Sequence, residues 1–490
     1  MPRRSTRAAI AAVLLLLVSP VIAQGPGPGG GPGGRQGGPP QPGIFKTDVA
    51  EPEASVVLCR PTDRSVGLSV LLRAGASVRV EYRTAGASAW KRGPERALQS
   101  GEPALLELAG LTPDTAYEYR VARSDAGPAL PQAGLAGSFH TCRKRGSSFT
   151  FTVTADSHLD GASDPETYRT CLRNAGADKP DFHIDLGDTF MAGKHADRAS
   201  AARQYTAQRT YLSALCSAAP LFLVVGNHDG EEQDRGPHSG GGGTPLPVWS
   251  VLRRKLLFPN PIPNAFYSGN ASPHKQAGLL ENWYAWEWGD ALFVVLDPYW
   301  TSRSVRGGSE PWNMTLGTEQ YDWLAKTLRS SSARTKFVFV HQLTGGIGNG
   351  ARGGVEAAGL YEWGGKDRNG AWRFDEKRPG WAQPIHALMV KAGVTILFQG
   401  HDHLFARQEL DGVVYQSTPS PADPTYTAFN EDAYQTGTAL PNSGHLIVHV
   451  GPAGVRVVYL RAYLEKDETG ERKNGQVAHS YTVAAKAKRP

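Results

Sequence analysis

Leu221-Phe222-Leu223-Val224-Val225-Gly226-Asn227-His228-Asp229-Gly230 decides the reading of this chain. Five apolar residues in succession read as a buried strand. The chain then breaks at a glycine and presents an amide, an imidazole and a carboxylate. Four other strand-like runs end in the same way. Phe149 to Thr154 leads to Asp156-Ser157-His158, and Phe182 to Leu186 leads to Gly187-Asp188. Lys336 to Val340 leads to His341, and Val394 to Phe398 leads to Gly400-His401-Asp402-His403. Short buried strands separated by helical or loop segments predict an α/β sheet. Open α/β sheets place their ligands at the carboxyl ends of the strands, so the five motifs are expected to gather along one edge.

The residue types suit metal ions. Carboxylates, imidazoles and an amide oxygen match small, fairly hard divalent or trivalent ions. Two such ions about 3.5–4 Å apart clamp the attacking and leaving oxygens of an in-line displacement at phosphorus. A carboxylate between them offsets the repulsion of the two cations. Asp188 is the natural bridge, because Gly187 before it allows close approach. Each motif alone has a blander reading. His341 could be a satisfied core histidine, Asn227-His228-Asp229-Gly230 a simple turn, and Gly400 to His403 a loop. Five motifs in order, each after a strand, are not explained that way. His183, His195, His238, His274, His386, His445 and His449 lie outside the motifs and read as ordinary histidines.

In this order, D-x-H, G-D, G-N-H-D, H and G-H-x-H resemble the calcineurin-like metallophosphoesterase superfamily over roughly Ser148 to Val450. The resemblance implies a four-layer α/β/β/α sandwich. It implies that Asp156, His158, Asp188 and His403 hold a first metal, and that Asp188, Asn227, His341 and His401 hold a second. It also implies that His228 assists the leaving oxygen, with Asp229 orienting that imidazole by accepting its other N–H.

Ile44 to about Arg145 reads as a small all-β sandwich. Ser65 to Arg73, Ser77 to Arg83 and Ala104 to Leu108 are strand-like, and Tyr117, Tyr119 and Val121 alternate toward one face after a turn at Pro113-Asp114. The stretch Leu111 to Val121 resembles the fibronectin type III signature, in which a tyrosine closes a corner. A carbohydrate- or protein-binding β-module is the competing reading. Such a domain precedes the catalytic domain in purple acid phosphatases and, similarly, in alkaline phosphatase D enzymes. Purple acid phosphatases carry an iron-ligating tyrosine three places after the bridging aspartate. Met191 stands at that place here, so an all-divalent pair, or a mixed iron pair without tyrosinate, is expected. Ligand type does not separate Mn, Fe and Zn.

A chain of 490 residues is too long for one ordinary domain. Residues 1–23 read as a signal peptide: Arg3, Arg4 and Arg7, an apolar stretch from Ala8 to Val18, then Val21-Ile22-Ala23. An uncleaved anchor is the alternative, although the stretch is short for a bilayer core of about 30 Å. Residues 24–43 are a Gly/Pro-rich linker. The catalytic domain is expected over 146–465, with a loose, polar tail over 466–490. The formal charge of +6 falls to +3 without the three leader arginines, too mild a balance to argue for nucleic acid. No membrane span is expected once the signal is cleaved. Four cysteines, Cys59, Cys142, Cys171 and Cys216, permit pairing within each domain, with four free thiols as the alternative.

Loops over the strand ends usually carry specificity. Gly230 to Gly243, Trp300 to Trp312 and Gly345 to Gly380 are such segments, with Arg303, Arg306, Arg352, Arg368 and Arg373 as candidate phosphate grips. The expectation is a secreted or periplasmic dinuclear phosphoester hydrolase in which an activated hydroxide attacks phosphorus in line. A phosphomonoesterase comes first and a phosphodiesterase second. An extracellular binding protein with a vestigial metal site is the reading from another class. The expected partner is a small-molecule phosphoester.

Overall fold

The computed structural model describes residues 44–131, 134–232, 243–303, 310–343 and 352–485. The signal peptide, the linker, His238, Arg306 and the last five residues lie outside the described residues. So do most of Gly230 to Gly243 and the start of Gly345 to Gly380.

The amino-terminal strands are β1 (Ala54–Cys59), β2 (Ser65–Leu72), β3 (Ala76–Thr84), β4 (Lys91–Leu98), β5 (Ala104–Ala109), β6 (Ala116–Arg123) and β7 (Ala136–His140). One sheet runs β4-β3-β6-β7, and β1, β2 and β5 face it from another. Period-2 alternation builds the core between them. Tyr117, Tyr119 and Val121 point inward from β6 and pack with Val56, Leu58 and Val70. The Thr112 N–H donates to the Tyr117 hydroxyl at 2.9 Å, closing the corner expected from the sequence.

Next come β8 (Phe149–Thr154), α1 (Pro165–Ala177), β9 (Phe182–Asp185), α2 (Arg198–Cys216), β10 (Leu221–Leu223) and α3 (Leu246–Leu257). β8, β9 and β10 are parallel neighbours. A second sheet contains β11 (Ser268–Gly269), β12 (Tyr284–Trp288), β13 (Ala291–Val295), β14 (Thr335–Phe339), β15 (Ile396–Gln399), β16 (Phe405–Leu410), β17 (Val413–Ser417) and β18 (Thr438–Leu440). β12 and β13 form a hairpin turning at Gly289-Asp290. The helices α4 (Gly317–Ser330), α5 (Val355–Ala358), α6 (Tyr361–Gly364), α7 (Phe374–Lys377) and α8 (Ile385–Ala392) lie between its strands in sequence. β19 (Gly444–Gly451) and β20 (Gly454–Arg461) return the chain to the first sheet beside β8.

Two apolar faces per strand explain the layers. Phe151, Phe182 and Phe222 of the first sheet meet Trp286, Phe293 and Phe337 of the second in one aromatic core. The outer face of the second sheet, including Val338 and Leu397, packs on Leu324, Leu328 and Met389 of α4 and α8. The outer face of the first packs on Leu172 and Leu215 of α1 and α2. The result is the expected α/β/β/α sandwich.

The β-sandwich is joined to this unit through the backbone. β1 pairs in parallel with β10 at Cys59 and Leu221, so one nine-stranded sheet runs from the carboxy-terminal strand to β5. Arg209 of α2 fixes the joint. Its guanidinium, 2% exposed, donates to the hydroxyls and carbonyls of Ser55 and Ser69 and to the Leu257 carbonyl.

Two expectations are corrected. The segment read as a loose tail contains β21 (Val477–Ala484), paired antiparallel with β20. Tyr481 and Val483 alternate onto the core, a short pattern hidden behind the charged run from Glu465 to Lys473. The cysteines are not paired: all four are free. Cys59 lies against Gly67, whereas the Cys142 thiol faces the Glu287 carbonyl of β12. Cys171 approaches His445 at 3.9 Å, and Cys216 is buried in the core beneath α2.

Candidate metal centre

All five motifs lie where strands of the two sheets end. Asp156 and His158 follow β8, Asp188 follows β9, and Asn227 and His228 follow β10. His341 follows β14, and His401 and His403 follow β15. The turns are tight. Fourteen non-glycine residues among those described have left-handed backbone, and Asp156, His158, Leu159, Asp188, Met191, His401 and His403 are half of them. Such conformations cost about 1–3 kcal/mol each and concentrate at functional sites. The glycines make the approach possible. A Cβ on Gly187 would lie 2.5 Å from the Gly226 nitrogen, one on Gly226 2.1 Å from the Asp188 nitrogen, and one on Gly400 2.8 Å from Asp156 Oδ2.

Two clusters result. Asp156, His158 and His403 offer donor atoms within 4.8 Å of one another, as do Asp188, His341 and His401. Each aspartate splits its carboxylate. Asp156 Oδ2 accepts the His401 N–H at 2.7 Å, while Oδ1 faces His403 Nε2 at 3.5 Å and His158 Nε2 at 3.7 Å. Asp188 Oδ1 accepts the His228 N–H at 2.7 Å, while Oδ2 faces His341 Nε2 at 3.3 Å and His158 Nε2 at 3.6 Å. Asp188 thus touches both clusters. Asn227 Oδ1 lies 3.0 Å from His341 Nε2 and 3.1 Å from His401 Nδ1.

These atoms fit divalent cations. Asp156 Oδ1 and His158 Nε2 are buried and make no hydrogen bond among the described residues, a costly state for a carboxylate and an imidazole unless a cation lies between them. Burial opposes charge on His158 and His341. The facing carboxylates overcome it, lifting His158 well above the usual imidazole range and His341 to about 9. A field that draws protons to these lone pairs also draws metal ions to them. Burial, with the charges of His341 and Arg352, pushes His401 well below that range, which favours the neutral imidazole that metal binding requires.

Supporting groups fix the rings. His341 Nδ1 pairs with the Leu186 carbonyl at 2.8 Å, directing Nε2 into the site. His158 Nδ1 lies 3.4 Å from Asp160 Oδ2. Gln204 and Gln208, one turn apart on α2, brace the His158 and Thr189 carbonyls and the Ser157 hydroxyl. Sequence reading missed these supports. Asp160, two residues beyond His158, was the legible one.

His228 stands beside the clusters, with Nε2 3.9 Å from Asp188 Oδ2 and a side chain 24% exposed. The expected role of Asp229 is corrected. Its buried carboxylate accepts four backbone N–H groups, from Gly226, Asp188, Thr189 and Phe190, at 2.7–3.1 Å. It clamps two motif loops together instead of orienting the His228 ring. Met191 is fully buried. Among the candidate arginines, Arg352 donates to the His401 carbonyl and to Asp402. Arg373 pairs with Glu376 and Asp367.

The calcineurin-like phosphoesterase family profile matches residues 149–405. No curated protein matches the chain. The fold is similar to the solved structure of PhoD, with a TM-score of 0.60 and 15% identity, covering 92% of each chain. It is also similar to purple acid phosphatase PPD1 from yellow lupin (Lupinus luteus) seeds, with a TM-score of 0.56 and 16% identity, covering 88% of this chain and 74% of that one. Strand-end clusters, glycine cradle and profile agree: the chain belongs to the calcineurin-like phosphoesterase family and is a metal-dependent phosphoester hydrolase.

Proposed function

We propose that the protein is an exported dinuclear phosphomonoesterase. The observation that carries the dinuclear reading is Asp188 Oδ2, which faces His158 of one cluster and His341 of the other. Asp156, His158, Asp188 and His403 would hold one ion, and Asp188, Asn227, His341 and His401 the other. When bound, two divalent ions supply an activated water and charge stabilisation at phosphorus. The chain's own residues do the rest. Asp160 and the Leu186 carbonyl orient ligand rings, and His228, half-buried at the edge, gives a proton to the departing alcohol. The ions are Mn, Fe or Zn, without a tyrosinate. The leader at residues 1–23 and the amino-terminal β-sandwich over 44–145, read as fibronectin III-like, support export. No helix among the described residues is long and apolar enough to cross a membrane.

A phosphodiesterase is the second reading, favoured by the fold likeness to PhoD. Metal-loaded protein assayed on a matched panel of monoesters and diesters tests the choice. Higher kcat/KM on monoesters supports the proposal, and preference for diesters replaces it. Absence of turnover on every ester returns the protein to the vestigial, binding class.

A further inference from the structure

The imidazoles of His228 and His403 open toward solvent and mark the mouth of the site. The His228 side chain is 24% exposed and that of His403 is 19% exposed, whereas His341 is fully buried. Phe429 stands beside His403, its ring perpendicular at 5.6 Å between centroids. It is 55% exposed, although it is a large apolar side chain. Leaving such a ring in water forfeits its burial energy.

The loop that presents Phe429 is anchored to the metal motif itself. Asn430 donates to the Asp402 carbonyl at 3.0 Å, and the Tyr434 hydroxyl donates to Asp402 Oδ2 at 2.6 Å. Asn442, which exchanges hydrogen bonds with Thr427 of the same loop, donates to the His403 carbonyl at 3.0 Å. Asp402 is the residue between the two histidines of Gly400 to His403, and it is 1% exposed. The loop that carries Phe429 and the backbone of the His403 motif are therefore tied by one hydrogen-bond network. A loop anchored in advance lowers the ordering cost of contact with the aromatic ring it presents.

We propose that Phe429 is a specificity-determining residue, and that the substrate class is phosphoesters whose organic group carries a planar aromatic ring. The phosphoryl group sits at the clusters and the ring of the ester lies against Phe429. The inference rests on the phosphoesterase reading of the site.

The test compares 1-naphthyl phosphate with ethyl phosphate on the metal-loaded enzyme and its Phe429→Ala and Phe429→Trp variants. Phenyl phosphate serves as a control of similar leaving-group acidity to the naphthyl ester. Phe429→Ala is expected to cut the naphthyl-over-ethyl ratio of kcat/KM by about 3- to 10-fold, with a smaller effect on the phenyl-over-ethyl ratio. Phe429→Trp should keep the ratio. An unchanged ratio in the alanine variant overturns the proposal. Calorimetric binding of 1-naphthyl- and ethylphosphonate supplies a readout independent of turnover. If the wild type hydrolyses none of the esters, the reaction assigned to the site is wrong. The phosphonate affinity ratio then decides the role of Phe429: a fall in the alanine variant upholds it, and no change ends it.

Discussion

Asp188 divides its carboxylate between two tasks: Oδ1 accepts the backbone N–H of His228 at 2.7 Å, and Oδ2 faces His341 Nε2 at 3.3 Å. The first contact ties β9 to the turn after β10. The second turns a lone pair toward both histidine clusters. The residue thereby touches both histidine clusters and places His228 beside them. Asp156 repeats the arrangement, with Oδ2 on the His401 N–H and Oδ1 on the rings of His158 and His403.

His228 follows Asn227, the proposed ligand whose Oδ1 faces His341 and His401, yet stands outside both clusters. His228→Ala is expected to keep both ions and to slow the reaction by about 10²–10⁴. The loss should be small for p-nitrophenyl esters, whose leaving group needs little protonation, and large for alkyl phosphates. Equal losses on both ester types would assign His228 to positioning, and metal loss would make it a ligand. Metal analysis alongside kcat on the two substrates separates these outcomes.

Asp229→Asn should behave differently. The substitution turns an acceptor of four backbone N–H groups into a group with its own donors, leaving buried N–H groups unpaired at about 1–3 kcal/mol each. The expected result is a lower Tm and weaker metal retention, measured by thermal unfolding and equilibrium dialysis. A variant with unchanged Tm and metal content but reduced kcat would restore the role in orienting His228.

Much of the site was legible before the fold was known, because strand ends and ligand types are written locally. Apolar runs announced β8, β9, β10, β14 and β15, and the residues after each are those the fold gathers into the two candidate clusters and their surroundings. What escaped was set by distance in space. Asp229 looked like a partner for the adjacent imidazole, but backbone N–H groups some 40 residues away in the Asp188 turn claim its oxygens. The cysteines looked pairable, but β1 carries Cys59 into the joint with β10 while Cys142 turns toward β12. β21 escaped because its alternation is short and follows a charged stretch. Phe429 carried no local signal; only the loop that returns beside His403 gives it meaning.

The thiols give a direct check on one correction. Alkylation under denaturing, non-reducing conditions should tag four cysteines by intact mass. Native alkylation should be slow, because burial pushes the Cys59 and Cys142 thiols up to about 12 and the reactive thiolate is scarce. Only two or no tags in the denatured protein would mean that disulfides form.

Met191 stands three residues after Asp188, buried, where a phenolate would be needed for tyrosinate-iron charge transfer. Protein loaded with iron should therefore lack an intense violet band in its visible spectrum. Such a band would show that another tyrosine coordinates the metal.

The most direct measurement is the metal content and turnover of Asp188→Asn beside the wild type. The wild-type chain should carry two metal ions and hydrolyse phosphoesters. The asparagine keeps the shape and loses the charge that holds two cations together, so the variant should retain at most one ion and nearly no activity. Two ions and normal turnover in Asp188→Asn would contradict the bridge and the dinuclear reading built on it.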